Sequence, residues 1–156
     1  MGHAYLYRHK ITSSIMQLHF VSSRPVSHVF QHLTDAKLFV AAHPVITEMV
    51  TIGNDEYRVH ETLRVLGIPI SFRYVACITV LDKNRAVKMS AIVMRLVRIE
   101  IEFNMTTENS KTVITETVHF HSWLPVEPIM GAVFRKQHKK LFERIECMPL
   151  VGESMG

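Results

Sequence analysis

The sequence predicts one α+β domain: an antiparallel sheet of six or seven strands, two short helices after the first strand, and a long helix near the C-terminus. Three observations carry this prediction. A strand-like run near the N-terminus is followed at once by two short segments of helical period. From Ile46 to Trp123 the chain is a series of extended segments divided by turn residues. The stretch from about Glu127 to Cys147 then repeats its apolar residues at the helical period. The 156 residues fit a single domain, 1–156 with a core from about 15 to 148, because two domains of this total length would each have too little interior.

The first strand runs from Ile15 to Ser22, weakly alternating and rich in strand formers. In "SSRPVSHVFQHLTD", Ser23 is placed to cap a helix, Pro25 suits its first turn, and Val26, Val29, Phe30 and Leu33 recur at helical spacing. A second short helix, about Asp35 to Ala42, takes Asp35 as its cap. It must stop before Pro44, because proline drives the residue before it out of the helical region. His43 is that residue. At a helix end, a positive or hydrogen-bonding side chain can meet free carbonyls, and the alternative for His43 is a place at the mouth of a cavity.

The extended segments are separated by Gly53-Asn54-Asp55, Gly67-Ile68-Pro69, Asp82-Lys83-Asn84-Arg85 and Glu108-Asn109-Ser110, which suggests an antiparallel meander. The clearest alternation is "VRIEIEFNM": Val97, Ile99, Ile101, Phe103 and Met105 share one face, and Arg98, Glu100, Glu102 and Asn104 the other. Near Met94 to Val97 the meander needs a turn, but no Gly, Pro, Asn or Asp is present, and a continuous bent strand is the alternative. In the C-terminal helix Met130, Val133, Phe134, Leu141, Ile145 and Met148 form one stripe. Arg135, Lys136, Lys139, Lys140 and Glu143 lie opposite.

This order of elements, from about Gln17 to Met148, resembles the START-like helix-grip superfamily (SRPBCC), which includes the polyketide cyclase and dehydrase-like proteins and the birch-pollen allergen relatives. "RPVSHVFQHLTDAKLFVAAHPVITEM" looks like the exit of the first strand through both short helices, and "HSWLPVEPIMGAVFRKQHKKLFERIE" like the run from the last strand into the gripping helix. The resemblance implies a curved sheet wrapped around the long helix, with an apolar cavity between them used for lipids, polyketides or hormones, or as a surface for partners. It carries over no catalytic residue, since members share none.

On a sheet with one buried face, polar residues at inward positions are costly unless paired, so they are where function should show. In "EYRVHETLRVLG" the set Tyr57, Val59, Glu61, Leu63, Val65 is apolar except for Glu61. In "KTVITETVHFHSW" the set Ile114, Glu116, Val118, Phe120 is apolar except for Glu116. In "IPISFRYVACITV" the more apolar set, Ile70 to Val80 by twos, includes Tyr74 and sends its hydroxyl inward. On the long helix, Gln137 falls within the apolar stripe and His138 at its edge. Glu61, Tyr74, Glu116, Gln137 and His138, with His43, are therefore the candidate ligand-binding residues, a few polar groups converging on an apolar wall. The competing reading is that a β-bulge shifts the register and the acids reach solvent, or that a buried partner neutralises each one.

Composition narrows the classes. Apolar residues are 47% and charged residues 21%, as in ordinary folded domains. No run is apolar for the length of a membrane helix, and "MGHAYLYRHKITSS" lacks the apolar centre of a leader, which together suggest a cytoplasmic protein. Cys77 and Cys147 are expected to be free thiols. Net charge is only +4, and the basic cluster Arg135 to Lys140 is the wet face of the helix, so nucleic-acid binding is not expected. His119 and His121 share a face but lack a third ligand, so no metal and no cofactor are expected. A homodimer is compatible with these features. The favoured function is a binding or carrier protein for a small hydrophobic ligand, lipid- or polyketide-like. The alternatives are a cyclase or dehydratase-type enzyme using a cavity carboxylate, Tyr or His, and a ligand-free interaction module with a Met-rich interior.

Overall fold

A computed structural model of the chain describes residues 11–150 and Gly152, and most of the N-terminal segment read above for a leader lies outside them. The element order is β1 (Thr12–Ser22), α1 (Val26–Thr34), α2 (Ala36–Ala42), β2 (Ile46–Thr51), β3 (Glu56–Val65), β4 (Ile68–Asp82), β5 (Ala86–Val93), β6 (Val97–Glu108), β7 (Lys111–Ser122) and α3 (Glu127–Cys147). The strands form one curved, wholly antiparallel sheet in the order β1-β7-β6-β5-β4-β3-β2. β2 to β7 is a meander, and α1 and α2 carry the chain from the β1 edge to the β2 edge. No helix among the described residues is long and apolar enough to cross a membrane.

Alternation decides which face is covered. Along β7, Ile114, Glu116, Val118 and Phe120 are buried, while Thr115, Thr117, His119 and His121 between them are half-buried on the convex side. α3 lays Leu141, Phe142 and Ile145 on the concave face, where Phe142 meets Phe20 at 4.5 Å and Phe103 at 6.0 Å between ring centroids. Toward its start, Phe134 packs edge-on against Phe120 at 5.5 Å. These apolar contacts supply most of the folding free energy, each fully buried large side chain contributing about 1.5–3 kcal/mol.

Asp35 caps α2 as its sequence predicts, its Oδ1 accepting from the backbone N–H groups of Lys37 and Leu38 at 2.9 and 3.0 Å. Ser23 does not cap α1. That helix begins after Pro25 with no side-chain cap, and Ser23 turns instead to the far end of α3. Ser22 Oγ, Ser23 Oγ and Ser23 N–H all donate to the Glu146 carboxylate, and Arg24 Nε donates to the Glu146 carbonyl oxygen at 2.8 Å. As an N-cap a serine oxygen would accept from backbone N–H groups, whereas here both hydroxyls donate to a charged carboxylate, which makes the stronger bond, and the result is a clamp between the exit of β1 and the last turn of α3. Burial alone would raise the Glu146 pKa, but these donors and the nearby Arg24 charge together hold it below the usual carboxylate value.

Two further points concern the meander. The chain does turn at Met94: Val93 pairs with Val97, Leu96 N–H bonds to the Val93 carbonyl, and Met94 and Arg95 both take positive φ, 54° and 57°. In β4 a bulge between Val80 and Asp82 shifts the register, and Val80, expected inward, is 48% exposed.

Candidate functional site

Glu61 and Glu116 both stand on the concave face, as their strand parity predicts, so no bulge carries them to solvent. Glu116 is fully buried in the middle of β7. Its Oε1 accepts from His138 Nδ1 at 2.5 Å, across the gap between sheet and α3, while its Oε2 has no hydrogen-bond partner among the described residues. His138 is itself 4% exposed and is walled by aromatic rings, Phe134 at 4.9 Å and Phe103 at 6.1 Å. Nδ1 is thereby committed as the donor to the carboxylate.

Glu61 is only half-buried, and it accepts from the Tyr74 hydroxyl at 2.7 Å. This contact joins neighbouring strands, Glu61 pairing with Phe72 and Val59 with Tyr74 in the β3–β4 register. Burial raises the Glu61 pKa, and the Tyr74 hydrogen bond and the positive field of His138 oppose that shift only in part. Tyr74 is held protonated by burial and by the Glu61 charge, so it acts as a fixed donor.

His43 closes the group from α2. Its backbone N–H completes the helix by bonding to Phe39, and its ring stands edge-on to His138 at 6.1 Å. The ring does not meet helix carbonyls. Its Nδ1 accepts from the N–H groups of Val45 and Ile46 at 3.3 and 3.2 Å, and it is Arg144 of α3 that donates to the His43 carbonyl, at 3.2 Å. An acceptor Nδ1 requires the neutral ring, and burial, the facing His138 and Arg144 together lower the His43 pKa to about 3.

Five of the six candidate residues, Glu61, Tyr74, Glu116, His138 and His43, are thus drawn together. Gln137 is not: it is half-buried on α3 and its side chain makes no hydrogen bond to another described residue. Sequence reasoning missed Arg144, and the buried pair His28 and His32, whose rings lie 4.3 Å apart on the inner side of α1. The signal for that pair was their four-residue spacing beside Val29 and Leu33, and their role is structural: His28 Nε2 donates to the Ile145 carbonyl at 3.0 Å, and His32 Nδ1 to the His28 carbonyl at 2.8 Å. On the convex face Glu100 bridges Lys88 and His121 at 3.0 and 3.5 Å, and among the described residues no group of three potential ligands could hold a metal.

The covering of the wall is uneven. α3 leans on β1 and α2, and beneath it Ile99 and Phe103 of β6 and Ile114, Glu116, Val118 and Phe120 of β7 are buried. Across β3, β4 and β5 the inward residues Leu63, Phe72, Tyr74, Ala76 and Ala91 remain half-buried, and solvent reaches them. An apolar, partly accessible wall therefore adjoins a buried His–Glu pair and a carboxyl of raised pKa. Such an arrangement can bind an apolar molecule and aim a few hydrogen bonds at it, and it places a potential base beside a potential acid.

No protein-family model and no curated protein matches the chain. Solved structures do match. Ara h 8.0201 aligns with a TM-score of 0.71 and 13% identity over 87% of this chain and 97% of its own. A START superfamily protein from Mycobacterium smegmatis gives 0.70 and 12% over 86% of this chain and 99% of its own. Norcoclaurine synthase from Thalictrum flavum, solved in complex with dopamine and hydroxybenzaldehyde, gives 0.67 and 12% over 94% of this chain and 92% of its own. With the seven-stranded antiparallel sheet and the long helix gripped by it, these likenesses establish that the chain has the START-like helix-grip fold.

Proposed function

We propose that this chain binds a small, mainly apolar molecule, lipid- or polyketide-like, against the half-buried wall of β3, β4 and β5, with Glu61, Tyr74 and the Glu116–His138 pair recognising its polar end. The observation that carries the reading is the convergence of two carboxylates, a tyrosine and two histidines onto one apolar wall, with one Glu116 oxygen left unpartnered in the interior. Polar side chains cost free energy when buried, and a chain that needed only a packed core would do better with Leu or Val at 61 and 116. The likeness to Ara h 8.0201 and to a synthase solved with two small aromatic molecules supports the class of ligand.

The test is native mass spectrometry of freshly purified protein, followed by titration with 1-anilinonaphthalene-8-sulfonate. A retained small molecule, or dye uptake weakened by Glu61→Gln with the fold intact, is the expected outcome. A bare mass together with no dye uptake sinks the reading.

One observation favours an enzymatic second reading, of the cyclase or dehydratase type. His138 is oriented by Glu116 as a base is oriented by a carboxylate, and the neighbouring Glu61 has a raised pKa suited to a proton donor. In that case, an enolisable ligand would exchange its acidic protons with deuterated water on the wild-type protein and not on His138→Gln.

A further inference from the structure

The two ends of the sheet use opposite turn chemistry. β3, β5 and β7 run in one direction, so the connections that follow them all leave from the same end. The opposite end is closed by turns of ordinary polar residues, Gly53-Asn54-Asp55, Asp82-Lys83-Asn84-Arg85 and Glu108-Asn109-Ser110. At the first end the connections are Val65-Leu66-Gly67-Ile68, Val93-Met94-Arg95-Leu96 and Ser122-Trp123-Leu124-Pro125-Val126. Leu66, at φ 51°, is 98% exposed, and Met94, at φ 54°, is 63% exposed. Ile68, Ile92, Leu96, Trp123, Leu124 and Ile129 are exposed around them.

A left-handed backbone disfavours Leu and Met and favours Gly, Asn or Asp, and an exposed tip gains nothing in the folded chain from a large apolar side chain. On two separate hairpins at one end, large apolar residues stand at left-handed tip positions; at the other end Asp55, Asn84, Asn109 and Ser110 hold those positions, and the exposed apolar residues Ile52 and Leu81 flank the turns rather than form their tips. The charge is also one-sided. Residues 64–70, 92–98 and 122–129 carry Arg64, Arg95 and Arg98 against one carboxylate, Glu127.

We propose that this end docks onto the surface of an anionic lipid bilayer, with Leu66, Met94 and Trp123 entering the headgroup and acyl boundary and the arginines pairing with lipid phosphates. Separate apolar tips on protruding hairpins fit a soft interface that closes around each of them, and the arginines add attraction to anionic lipid. The surface stands whether or not the interior takes a ligand, since none of these side chains belongs to the Glu61 and Glu116 group.

The test uses the full chain, sedimented with vesicles of phosphatidylcholine and phosphatidylglycerol in equal parts and with phosphatidylcholine alone. Trp123 is the only tryptophan, so its emission reports this end directly. Binding to the mixed vesicles, with a blue shift of that emission and much weaker binding to phosphatidylcholine alone, is expected. The double variant Leu66→Asn, Met94→Asn should lose roughly tenfold or more of the partitioning, since two large side chains no longer leave water. Asparagine suits the left-handed positions, so this variant keeps its fold, which circular dichroism and a melt verify. Arg95→Gln should weaken binding to the mixed vesicles alone. No binding by the wild type, equal binding by the double variant, or a concentration-dependent dimer that the double variant abolishes would each overturn the proposal, the last by making a second copy of the chain the occupant.

Discussion

Glu61 and Glu116 occupy equivalent positions, each the one carboxylate on the inward parity of its strand, yet the fold treats them differently. Glu116 lies under α3, out of reach of water, and meets a histidine at 2.5 Å. Glu61 lies on the half of the sheet that α3 leaves uncovered, keeps some contact with solvent, and meets only the neutral Tyr74 hydroxyl. Identical parity thus yields one carboxyl locked into the packing and one exposed to whatever enters. The covering element, and not the strand, sets the chemistry of an inward acid.

The largest effect should come from breaking the locked pair. His138→Ala leaves Glu116 buried with no partner on either oxygen and opens a gap between Phe103 and Phe134, so stability in urea should fall by about 3–5 kcal/mol. Adding Glu116→Gln to that variant should recover part of the loss, because no charge is then stranded. If His138→Ala lowers stability by less than about 1 kcal/mol, the contrast between the two acids is not one of pairing.

Acid should act next, through His43. Its folded pKa of about 3 lies below the unfolded value of 6.5, so the neutral ring's contribution is complete above pH 6.5 and is lost as pH falls, by about 2 kcal/mol at pH 5. Glu61 works with the opposite sign. A carboxyl whose pKa is raised on folding contributes below its unfolded value of 4.5, and that contribution is lost as pH rises toward the folded value. His43→Asn, whose side-chain oxygen can still accept from Val45 and Ile46, should flatten the acid limb of a stability profile measured by chemical denaturation. An unchanged limb would mean that another buried group governs it.

Tyr74→Phe should cost about 1 kcal/mol and raise the Glu61 pKa further by removing its one hydrogen-bond donor, an effect read from the pH dependence of the melt. The smallest change belongs to Glu61→Gln, which should leave stability at neutral pH within about 1 kcal/mol of the wild type, since loss of the Tyr74 bond is offset by loss of a desolvated charge. A fall as large as that of His138→Ala would show that Glu61 is as firmly built into the packing as Glu116.

Much of this was legible in local pattern. The bounds of α3, the cap at Asp35, the stop at His43 and the inward parity of Glu61, Tyr74 and Glu116 all follow from period, capping chemistry and the rule at proline. Ser23 misled because its best acceptor, Glu146, is more than a hundred residues away, and no local rule sees it. The turn near Met94 stayed open against a bent strand because its residues suit a turn poorly, and it is the paired flanking strands that hold it there. Gln137 was placed with the site on helical phase alone, and a phase angle does not report whether a facing side chain comes within hydrogen-bond reach.

Periodicity and turn chemistry are properties of a few neighbouring residues, and they were enough to set the class of fold, an antiparallel sheet of six or seven strands and most of the side chains that turn inward. They could not set which inward residues meet. The Glu116–His138 pair spans 22 positions, and the contact between the His43 and His138 rings nearly a hundred. Both depend on where α3 comes to rest across the sheet. That resting place is decided by the fit of Phe20, Phe103, Phe120, Phe134 and Phe142 and by the clamp at Glu146, so the difference between a sealed acid and an accessible one emerges only when the whole chain has packed.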